Sequence, residues 1–230
     1  MPEAEDLRQS ESEAAAPLGA KKLDYPWTVL VVDPLAGPLT KLLAARRWLT
    51  PDQVTGLSLA LGVPVGLAFA TGTRAGLRSG AGLFYVSFVC DCVDGKLARA
   101  LDLYSARGVA LDEWADKARR ASAALGLAVY LGRVRSRRAA LWALGFGALS
   151  VYFMEISGAE RPAPATPVGG RWRQALARRR LLPTPGMPDV SGIVFVLGPA
   201  TGWVLPGLGL GTAMVAAGIA LTAKRTRAAS

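Results

Sequence analysis

Residues 91–116 read DCVDGKLARALDLYSARGVALDEWAD, and this stretch decides the fold. Four of its aspartates form two pairs at helical spacing, Asp91 with Asp94 and Asp112 with Asp116. Apolar segments long enough to enter a bilayer flank the stretch on both sides. Acidic side chains are costly beside a membrane, so their presence here calls for a chemical reason.

The composition is typical of a helical membrane protein. Hydrophobic residues make up 51% of the 230 residues, and there are 26 glycines. The formal net charge is +10, but the Lys and Arg residues lie between apolar runs and form no continuous basic domain. That distribution favours the positive-inside pattern of a membrane protein over a nucleic-acid partner.

Histidine is absent, and the two cysteines are Cys90 and Cys92. A spacing of one intervening residue is neither a zinc motif nor a disulfide framework, so both are expected to be small buried residues. The absence of histidine excludes His-based triads and HExxH zinc sites. Any acid–base chemistry must therefore fall to carboxylates, Lys or Tyr.

The apolar segments predict an all-α integral membrane protein with six transmembrane helices, at about 20 residues per crossing. The predicted spans are 52–72, 77–98, 108–131, 139–157, 189–205 and 208–223, within a membrane domain of residues 51–223. Thr50 is expected to cap the first of them, with Pro51 in its first turn. Residues 1–20 and 224–230 are predicted to be cytoplasmic tails, the first of them disordered.

Residues 21–50 are predicted to form a juxtamembrane amphipathic helix that lies in the interface. Their apolar runs are short and are broken by Pro26, Pro34 and Pro38. Leu39, Leu42 and Leu43 fall on one helical face, and Trp27 and Trp48 suit an interface. An ordinary surface helix is the alternative. The Lys and Arg of this segment favour a cytoplasmic N-terminus, although the cluster at 133–138 would then lie outside, against the rule.

The chemistry of the central stretch follows from its four carboxylates. A helical hairpin would bring Asp91, Asp94, Asp112 and Asp116 together at the cytoplasmic membrane surface, where they repel one another unless cations lie between them. Oxygen ligands without His or Cys suit Mg²⁺ or Mn²⁺. Four acids are enough for two ions, an arrangement that serves phosphoryl transfer. An ordinary solvated loop is the alternative, but it does not explain so many residues at fixed spacing.

The residues between the acids fit a phosphate-bearing ligand. Gly95, Ala98 and Gly108 are small enough to let a bulky ligand lie against the helices. Arg99 could pair with a phosphate oxygen. Ser105 could reach a phosphate through its hydroxyl, or it could cap the following helix.

A second basic segment, RWRQALARRR at residues 171–180, lies in the long loop 158–188. It could collect a phosphorylated substrate near the acids, with Arg171, Arg173 and Arg178 as candidate ligands of the acceptor phosphate. The alternative is a basic turn that faces solvent or anionic lipid.

The pattern D-x2-D-G-x2-A-R-x8-G-x3-D-x3-D resembles the signature of the CDP-alcohol phosphotransferase (CDP-alcohol phosphatidyltransferase) family, and all eight of its positions are present. The resemblance implies a six-helix membrane enzyme, usually homodimeric, with an amphipathic helix before the first span. It implies that the first three acids hold divalent metal and that Asp116 is both metal ligand and base for the acceptor hydroxyl. Gly95, Ala98, Arg99 and Gly108 would line the CDP site.

A further similarity lies at the start of the first span, where the family often has Pro-Asn-x-x-Thr at the cytidine nucleotide. This chain has Pro51, then Asp52 in place of Asn, and Thr55. The run LDEWADK at 111–117 also looks like the LDPxADK of phosphatidylglycerophosphate synthases.

These features predict an enzyme of phospholipid synthesis in the bacterial plasma membrane, with its active site facing the cytoplasm. It would transfer a phosphatidyl-type group from a CDP-linked lipid to an alcohol acceptor, such as glycerol phosphate or inositol phosphate, and release CMP. A divalent-cation carrier is a rival hypothesis, but transport sites usually lie mid-membrane on broken, repeated helices, and no repeat is visible. A catalytically silent lipid-binding relative is another, against which the complete set of four acids argues.

Overall fold

The computed structural model describes residues 16–158 and 170–229, with side chains described at 16–157 and 172–224. Within these ranges the chain is helical and contains no strand, which confirms the all-α prediction. The helices are α1 (Thr28–Arg46), α2 (Pro51–Gly62), α3 (Pro64–Ala70), α4 (Arg74–Leu101), α5 (Ala106–Val134), α6 (Arg137–Gly158), α7 (Arg171–Arg178), α8 (Met187–Thr201) and α9 (Val204–Ala229).

The start of α2 is built as its sequence predicts. The Thr50 hydroxyl accepts a hydrogen bond from the Gln53 amide, and the Gln53 side chain accepts one from the Thr50 amide, which together form a capping box. Pro51 occupies the first turn, where its missing N–H costs nothing. This cap fixes where α2 begins, and α2 delivers Thr55 to the acid cluster.

The two motif helices α4 and α5 diverge from the short loop at residues 102–105. They contact each other little along their length, because α2 and α3 pack against both of them. The packing is close enough to need small residues, since a Cβ on Gly126 of α5 would lie 2.3 Å from the Gly66 carbonyl oxygen of α3. Ser122 reinforces the contact by donating to the Val63 carbonyl at 2.5 Å.

The remaining helices complete the bundle around α4. α1 and α8 pack on α4, α6 packs on α5, and α9 packs on α6 and α8. Phe195 of α8 joins them in the core, with its ring centroid 5.0 Å from that of Phe84 and 6.0 Å from that of Phe146. Cys90 is buried and Cys92 half-buried, and both are free thiols.

Within the part of the chain that the structure describes, four helices are long and apolar enough to cross a membrane: Thr28–Arg46, Pro51–Ala70, Arg137–Ser157 and Val204–Lys224. The second of them includes the break between α2 and α3 at Pro64. The predicted spans 77–98 and 108–131 lie inside α4 and α5, which are longer than a crossing requires but carry the motif charges. The count of six spans therefore stays a prediction.

The prolines of segment 21–50 were predicted to interrupt its apolar runs, but α1 continues through Pro34 and Pro38. Pro34 lies in the first turn after a π-helical segment, where a helix needs no N–H from it, and Pro38 is accommodated inside the helix. The interfacial position of α1 stays a prediction. Leu43 is buried on α4's side of the helix while Leu42 is exposed, so the three leucines do not share one environment.

The last two predicted spans also differ in their limits. α8 has only 15 residues and ends at Gly202, whose φ of +84° is a left-handed conformation that suits glycine. α9 continues to Ala229, through most of the segment predicted as a tail at 224–230. Of the predicted N-terminal tail, residues 16–20 lie against the bundle, while 1–15 fall outside the described residues.

Candidate active site

The junction of α4 and α5 is made by local backbone signals. Asp102 ends α4 in the left-handed region, with φ of 53°. Ser105 then caps α5 by accepting a hydrogen bond from the Gly108 amide at 2.9 Å. Of the two roles open to Ser105, the structure shows the cap. The short connection places about the last three turns of α4, which carry Asp91 and Asp94, beside about the first three turns of α5, which carry Asp112 and Asp116.

A cavity of about 130 Å³ opens between the start of α2, the end of α4 and the start of α5. All seven residues predicted to bind the CDP moiety line it, together with two of the four acids. These residues are Asp52, Thr55, Gly95, Ala98, Arg99, Ser105 and Gly108, with Asp94 and Asp112. The structure therefore brings together residues that lie more than fifty positions apart in the chain.

Asp94 is oriented by α2. The buried Thr55 hydroxyl lies 2.6 Å from Oδ2 of Asp94, and it is also 3.1 Å from the Pro51 carbonyl oxygen. This explains why a threonine one turn into α2 belongs to the site, since an uncharged donor fixes the carboxylate without neutralising it.

Asp52 stands against the first turn of α5. A Cβ on Gly108 would lie 2.9 Å from Oδ1 of Asp52 and 3.0 Å from the Ser105 hydroxyl, so the glycine permits this approach. Gly95 has a different role, because a Cβ there would meet only the Arg99 guanidinium at 3.5 Å, an ordinary contact. Its missing side chain leaves open space in the cavity.

Arg99, predicted to bind a phosphate, is held by the N-terminal segment. Its Nε donates to the Gly19 carbonyl at 2.5 Å. Gly19 has φ of +68°, and a Cβ there would lie 2.0 Å from the Lys96 carbonyl oxygen. The segment at 16–20 thus lies directly on the last turns of α4.

A larger cavity of about 970 Å³ adjoins the same acids. Asp112, Gly95 and Arg99 line both cavities, whereas Asp91 and Asp116 line only the larger one. Its other walls come from residues 21–28, α6, α7, the segment 181–188 and α9. The acids therefore stand between two spaces of very different size.

Cationic side chains line the larger cavity as well. Lys21, Lys96, Arg120 and Arg173 all contribute to its wall. Arg173 is exposed, with its guanidinium 5.4 Å from the Trp172 ring centroid. Of the other predicted acceptor ligands, Arg178 is exposed and is not among the described residues that line the cavity, and the Arg171 side chain lies outside the described part.

Tyr25 also faces this cavity, next to two carboxylates. Burial, followed by the charges of Asp24 and Asp189, raises the pKa of the Tyr25 phenol above its ordinary value. Tyr25 therefore stays protonated at neutral pH and can only donate or accept a hydrogen bond there.

Arg119 is the main site residue that the sequence analysis missed. Its side chain is 1% exposed, and its Nη2 pairs with Oδ1 of Asp116 and with Oδ1 of Asp91 at 3.1 Å. One guanidinium thus links an acid of α4 to an acid of α5. The available signal was a basic residue one turn after Asp116, immediately before the apolar second half of α5.

Arg120 holds the other oxygen of Asp116, with Nη1 at 2.9 Å from Oδ2. Its Nε donates to the Ser191 hydroxyl at 3.3 Å, which ties α5 to α8. Both oxygens of Asp116 therefore have a guanidinium partner.

A second buried charge cluster secures the basic segment to the site. Lys96 lies 2.9 Å from Oδ1 of Asp33, and Arg180 lies 3.1 Å from Oδ2 of the same carboxylate. Arg180 also donates to the Lys21 carbonyl. The end of the 171–180 segment is thereby fixed against α1 and α4.

The four acids fit a hard divalent cation by their donor chemistry. They are oxygen ligands that repel one another, since Asp91 experiences the charges of Asp94, Asp112 and Asp116. Among the described residues no side chain pairs with Asp112. No cluster of three or more acidic, His or Cys side chains within the described ranges is already closed around an ion position. The ligand set is present, and binding would require its carboxylates to turn inward.

Comparison with known proteins now identifies the family. A family model for CDP-alcohol phosphatidyltransferases matches residues 48–223. No curated protein sequence matches this chain significantly. The match covers most of the chain, so the protein belongs to the CDP-alcohol phosphatidyltransferase family and is an integral membrane phosphotransferase.

Solved structures share the fold. The Mycobacterium tuberculosis phosphatidylinositol phosphate synthase (PgsA1) with CDP-DAG bound has a TM-score of 0.60 and 22% identity, covering 84% of this chain and 92% of that chain. Its complex with manganese and citrate has a TM-score of 0.59 and 21% identity, covering 84% and 88%. Its apo form has a TM-score of 0.52 and 21% identity, covering 81% and 93%.

Proposed function

We propose that this protein transfers a phosphatidyl-type group from a CDP-linked lipid to the hydroxyl of an alcohol acceptor, with release of CMP. The observation that carries the proposal is the meeting of two cavities at Asp112, Gly95 and Arg99. The residues predicted to bind the nucleotide line the smaller one, and the larger one has room for the lipid-bearing phosphate and an acceptor. A structure of a similar fold was solved with CDP-DAG bound, which supports a CDP-linked lipid as donor.

In the smaller cavity the chain would bind and orient the CDP moiety. Gly95, Ala98 and Gly108 leave room for it, and Asp52 and Thr55 approach from α2. Arg99 uses only its Nε in the bond to Gly19, so its terminal nitrogens can meet the diphosphate. Ser105 acts there through the cap that sets the first turn of α5.

In the larger cavity Asp116 would accept the proton of the acceptor hydroxyl. The acceptor oxygen bonds to the phosphorus that carries the lipid, the bond from that phosphorus to the bridging oxygen breaks, and CMP leaves with the bond's electrons. Asp116 must exchange one arginine hydrogen bond for the acceptor hydroxyl. Arg120 is the partner that can loosen, because its bond to Ser191 is long at 3.3 Å.

A divalent cation, Mg²⁺ or Mn²⁺, would be held by the carboxylates Asp91, Asp94, Asp112 and Asp116. When bound it would neutralise charge on the diphosphate and on the leaving CMP. A similar fold was solved in complex with manganese, which supports a divalent ion in this position.

The acceptor that this surface favours is a phosphorylated polyol, such as glycerol phosphate or inositol phosphate. Lys21, Lys96 and Arg173 place positive charge in the wall of the larger cavity, where an acceptor phosphate would lie. Arg171 and Arg178 stay candidate ligands of the acceptor phosphate. Contact of the 171–180 segment with anionic lipid remains the alternative interpretation.

We place the site at the cytoplasmic face of the bacterial plasma membrane. Basic residues of the 21–47 segment and of the 171–180 segment lie at the same end of the bundle as the acids, as the positive-inside rule requires of a cytoplasmic face. The family resemblance further predicts a homodimer.

The test is to give the purified protein a CDP-linked lipid, Mg²⁺ or Mn²⁺ and a panel of acceptors, and to measure CMP. We expect CMP release with a phosphorylated polyol, and a higher KM for that acceptor in Arg173→Gln with little change for the donor. Absence of CMP release with every acceptor would contradict the proposal. Cation flux into liposomes without CMP release would favour the carrier hypothesis instead.

A further inference from the structure

We propose that Arg119 is a fixed cation of the acid cluster and takes the place of one divalent ion, so that the centre binds one ion where its four carboxylates alone would suit two. This inference rests on the proposed function for the role of the acids. It assigns a positioning role to a residue outside the recognised motif.

Arg119 occupies the space between the two halves of the cluster. Its Nη2 reaches Oδ1 of Asp91 on α4 and Oδ1 of Asp116 on α5. A cation that bridges one carboxylate from each helix is the position that a metal ion would otherwise take. The guanidinium thus neutralises that pair with a charge the protein supplies itself.

Two buried serines bind the same guanidinium. Ser58 donates its hydroxyl proton to the Ser87 carbonyl at 2.9 Å, and Ser87 donates to the Ser58 carbonyl at 2.8 Å. Because each hydroxyl proton is used in this exchange, both oxygens are left to accept. They accept from Nη1 of Arg119 at 3.1 and 3.2 Å.

The rest of the side chain is enclosed as well. The guanidinium carbon lies 5.6 Å from the Phe84 ring centroid and 5.2 Å from that of Phe88. The stem packs on α2, where a Cβ on Gly62 would lie 3.0 Å from Cβ and Cγ of Arg119. Both terminal nitrogens and the stem are held, and only Nε lacks a hydrogen-bond partner among the described residues. Moving this side chain to admit an ion would break all of those contacts, so the ion is expected to bind elsewhere in the cluster.

The carboxylate oxygens that remain define that place. Both oxygens of Asp116 are engaged by Arg119 and Arg120. Asp112 pairs with no described side chain, Asp94 has one oxygen beyond its bond to Thr55, and Asp91 has Oδ2. These oxygens belong to carboxylates that border the two cavities, and once the carboxylates turn inward they suffice for one ion.

The experiment counts Mn²⁺ ions on the purified full-length protein in detergent, with Mn²⁺ alone and again with CMP. Electron paramagnetic resonance measures free Mn²⁺ and also detects spin coupling between two ions, which lie about 4 Å apart in two-metal sites. We expect one ion per chain and an uncoupled spectrum in both conditions. Two ions per chain, a coupled pair, or no binding would each overturn the inference.

Variants of Arg119 test whether its charge sets the number of bound ions. Arg119→Gln keeps amide donors for the serines but removes the charge, so we expect a second Mn²⁺ and a coupled spectrum. Arg119→Lys keeps the charge and should still bind one ion, as should Arg74→Gln, an exposed arginine at the far end of α4. A merely structural Arg119 would give fewer ions in Arg119→Gln, which would contradict us. If that variant does not fold, the count on the unaltered protein decides.

CMP release measured on the same preparations separates this inference from the function it rests on. CMP release with two bound ions leaves the function standing and overturns the role of Arg119. One bound ion without CMP release for any acceptor contradicts the proposed function, and therefore the inference with it.

Discussion

The two halves of the acid cluster are stabilised in different ways. Asp94 is held by the Thr55 hydroxyl, an uncharged donor, and Asp112 pairs with no described side chain. Asp91 and Asp116 are held by Arg119 and Arg120, which are buried cations. The first half therefore has no ion-pair partner among the described residues, whereas the second half is paired with two buried guanidinium groups.

This difference explains how the chain can fold around four acids when no metal ion is bound. Buried carboxylates that lack a partner are strongly destabilising, and repulsion among them adds to the cost. Arg119 removes that problem for the two acids that face each other across α4 and α5. The remaining acids border the two cavities, where solvent or substrate can reach them.

The largest effect on activity is expected when one aspartate of each half is replaced, in two separate variants. Asp116→Asn should lower CMP release by about 10²–10⁴-fold, the usual contribution of a general base, and added Mn²⁺ should not restore it. Asp94→Asn should instead weaken metal binding, so that raised Mn²⁺ recovers part of the activity. Rates measured across a Mn²⁺ titration separate the two. Glu113→Gln, an exposed control on α5, should behave like the unaltered protein.

Removing Arg119, the cation that pairs with Asp91 and Asp116, should destabilise the fold. Arg119→Met leaves Asp91 and Asp116 without that partner, and breaking a buried ion pair costs about 3–5 kcal/mol. Unfolding in detergent measures the loss, and Mn²⁺ should recover part of it by occupying the vacated position. Arg74→Met is the matched control at an exposed site. Equal stability of the two variants would show that Arg119 carries no such role.

The half that an uncharged donor holds can be tested at Thr55. Thr55→Val removes the donor to Asp94 without changing the shape, and the loss of a residue that orients a metal ligand lowers affinity or activity by about 10–100-fold. Thr55→Ser retains the hydroxyl and should stay near the original value. Mn²⁺ affinity measured for both gives the answer, and equal affinities would mean that the hydroxyl does not orient Asp94.

The smallest effect concerns the nucleotide cavity rather than the charges. Gly108→Ala places a methyl group 2.9 Å from Asp52, so we expect the KM for the CDP-linked lipid to rise by about tenfold or less, within the usual range for a few lost contacts. Gly56→Ala, where nothing lies within 4 Å, is the control with the same change. An unchanged KM in Gly108→Ala would exclude this wall from donor binding.

Much of the candidate site followed from the sequence, because local geometry carries it. Spacings of three and four residues place each acid pair on one helical face, and a short loop with a Ser cap keeps the two pairs close. The capping box at Thr50 likewise fixed the start of α2. These features depend on neighbouring residues, so no knowledge of distant contacts was needed.

Other features depended on contacts that no local pattern reveals. Arg99 meets Gly19, eighty residues away, and Arg119 meets Ser58 and Ser87 on two other helices. The course of α1 through Pro34 and Pro38 was also missed, because its packing on α4 outweighs the local preference of proline to end a helix.

The sequence alone predicted the family, which the family match confirms, and it pointed to the class of chemistry and to the four acids, since helical periodicity and a fixed motif are local properties of the chain. The tertiary structure shows how those acids are held across helices. The partner of Asp94 comes from α2 and that of Asp91 from α5, and these contacts exist only once the helices have packed, whereas Asp116 pairs with arginines of its own helix. Charge balance in a buried cluster is a property of the whole packed site, because it depends on every charge within a few ångströms, whatever its place in the chain.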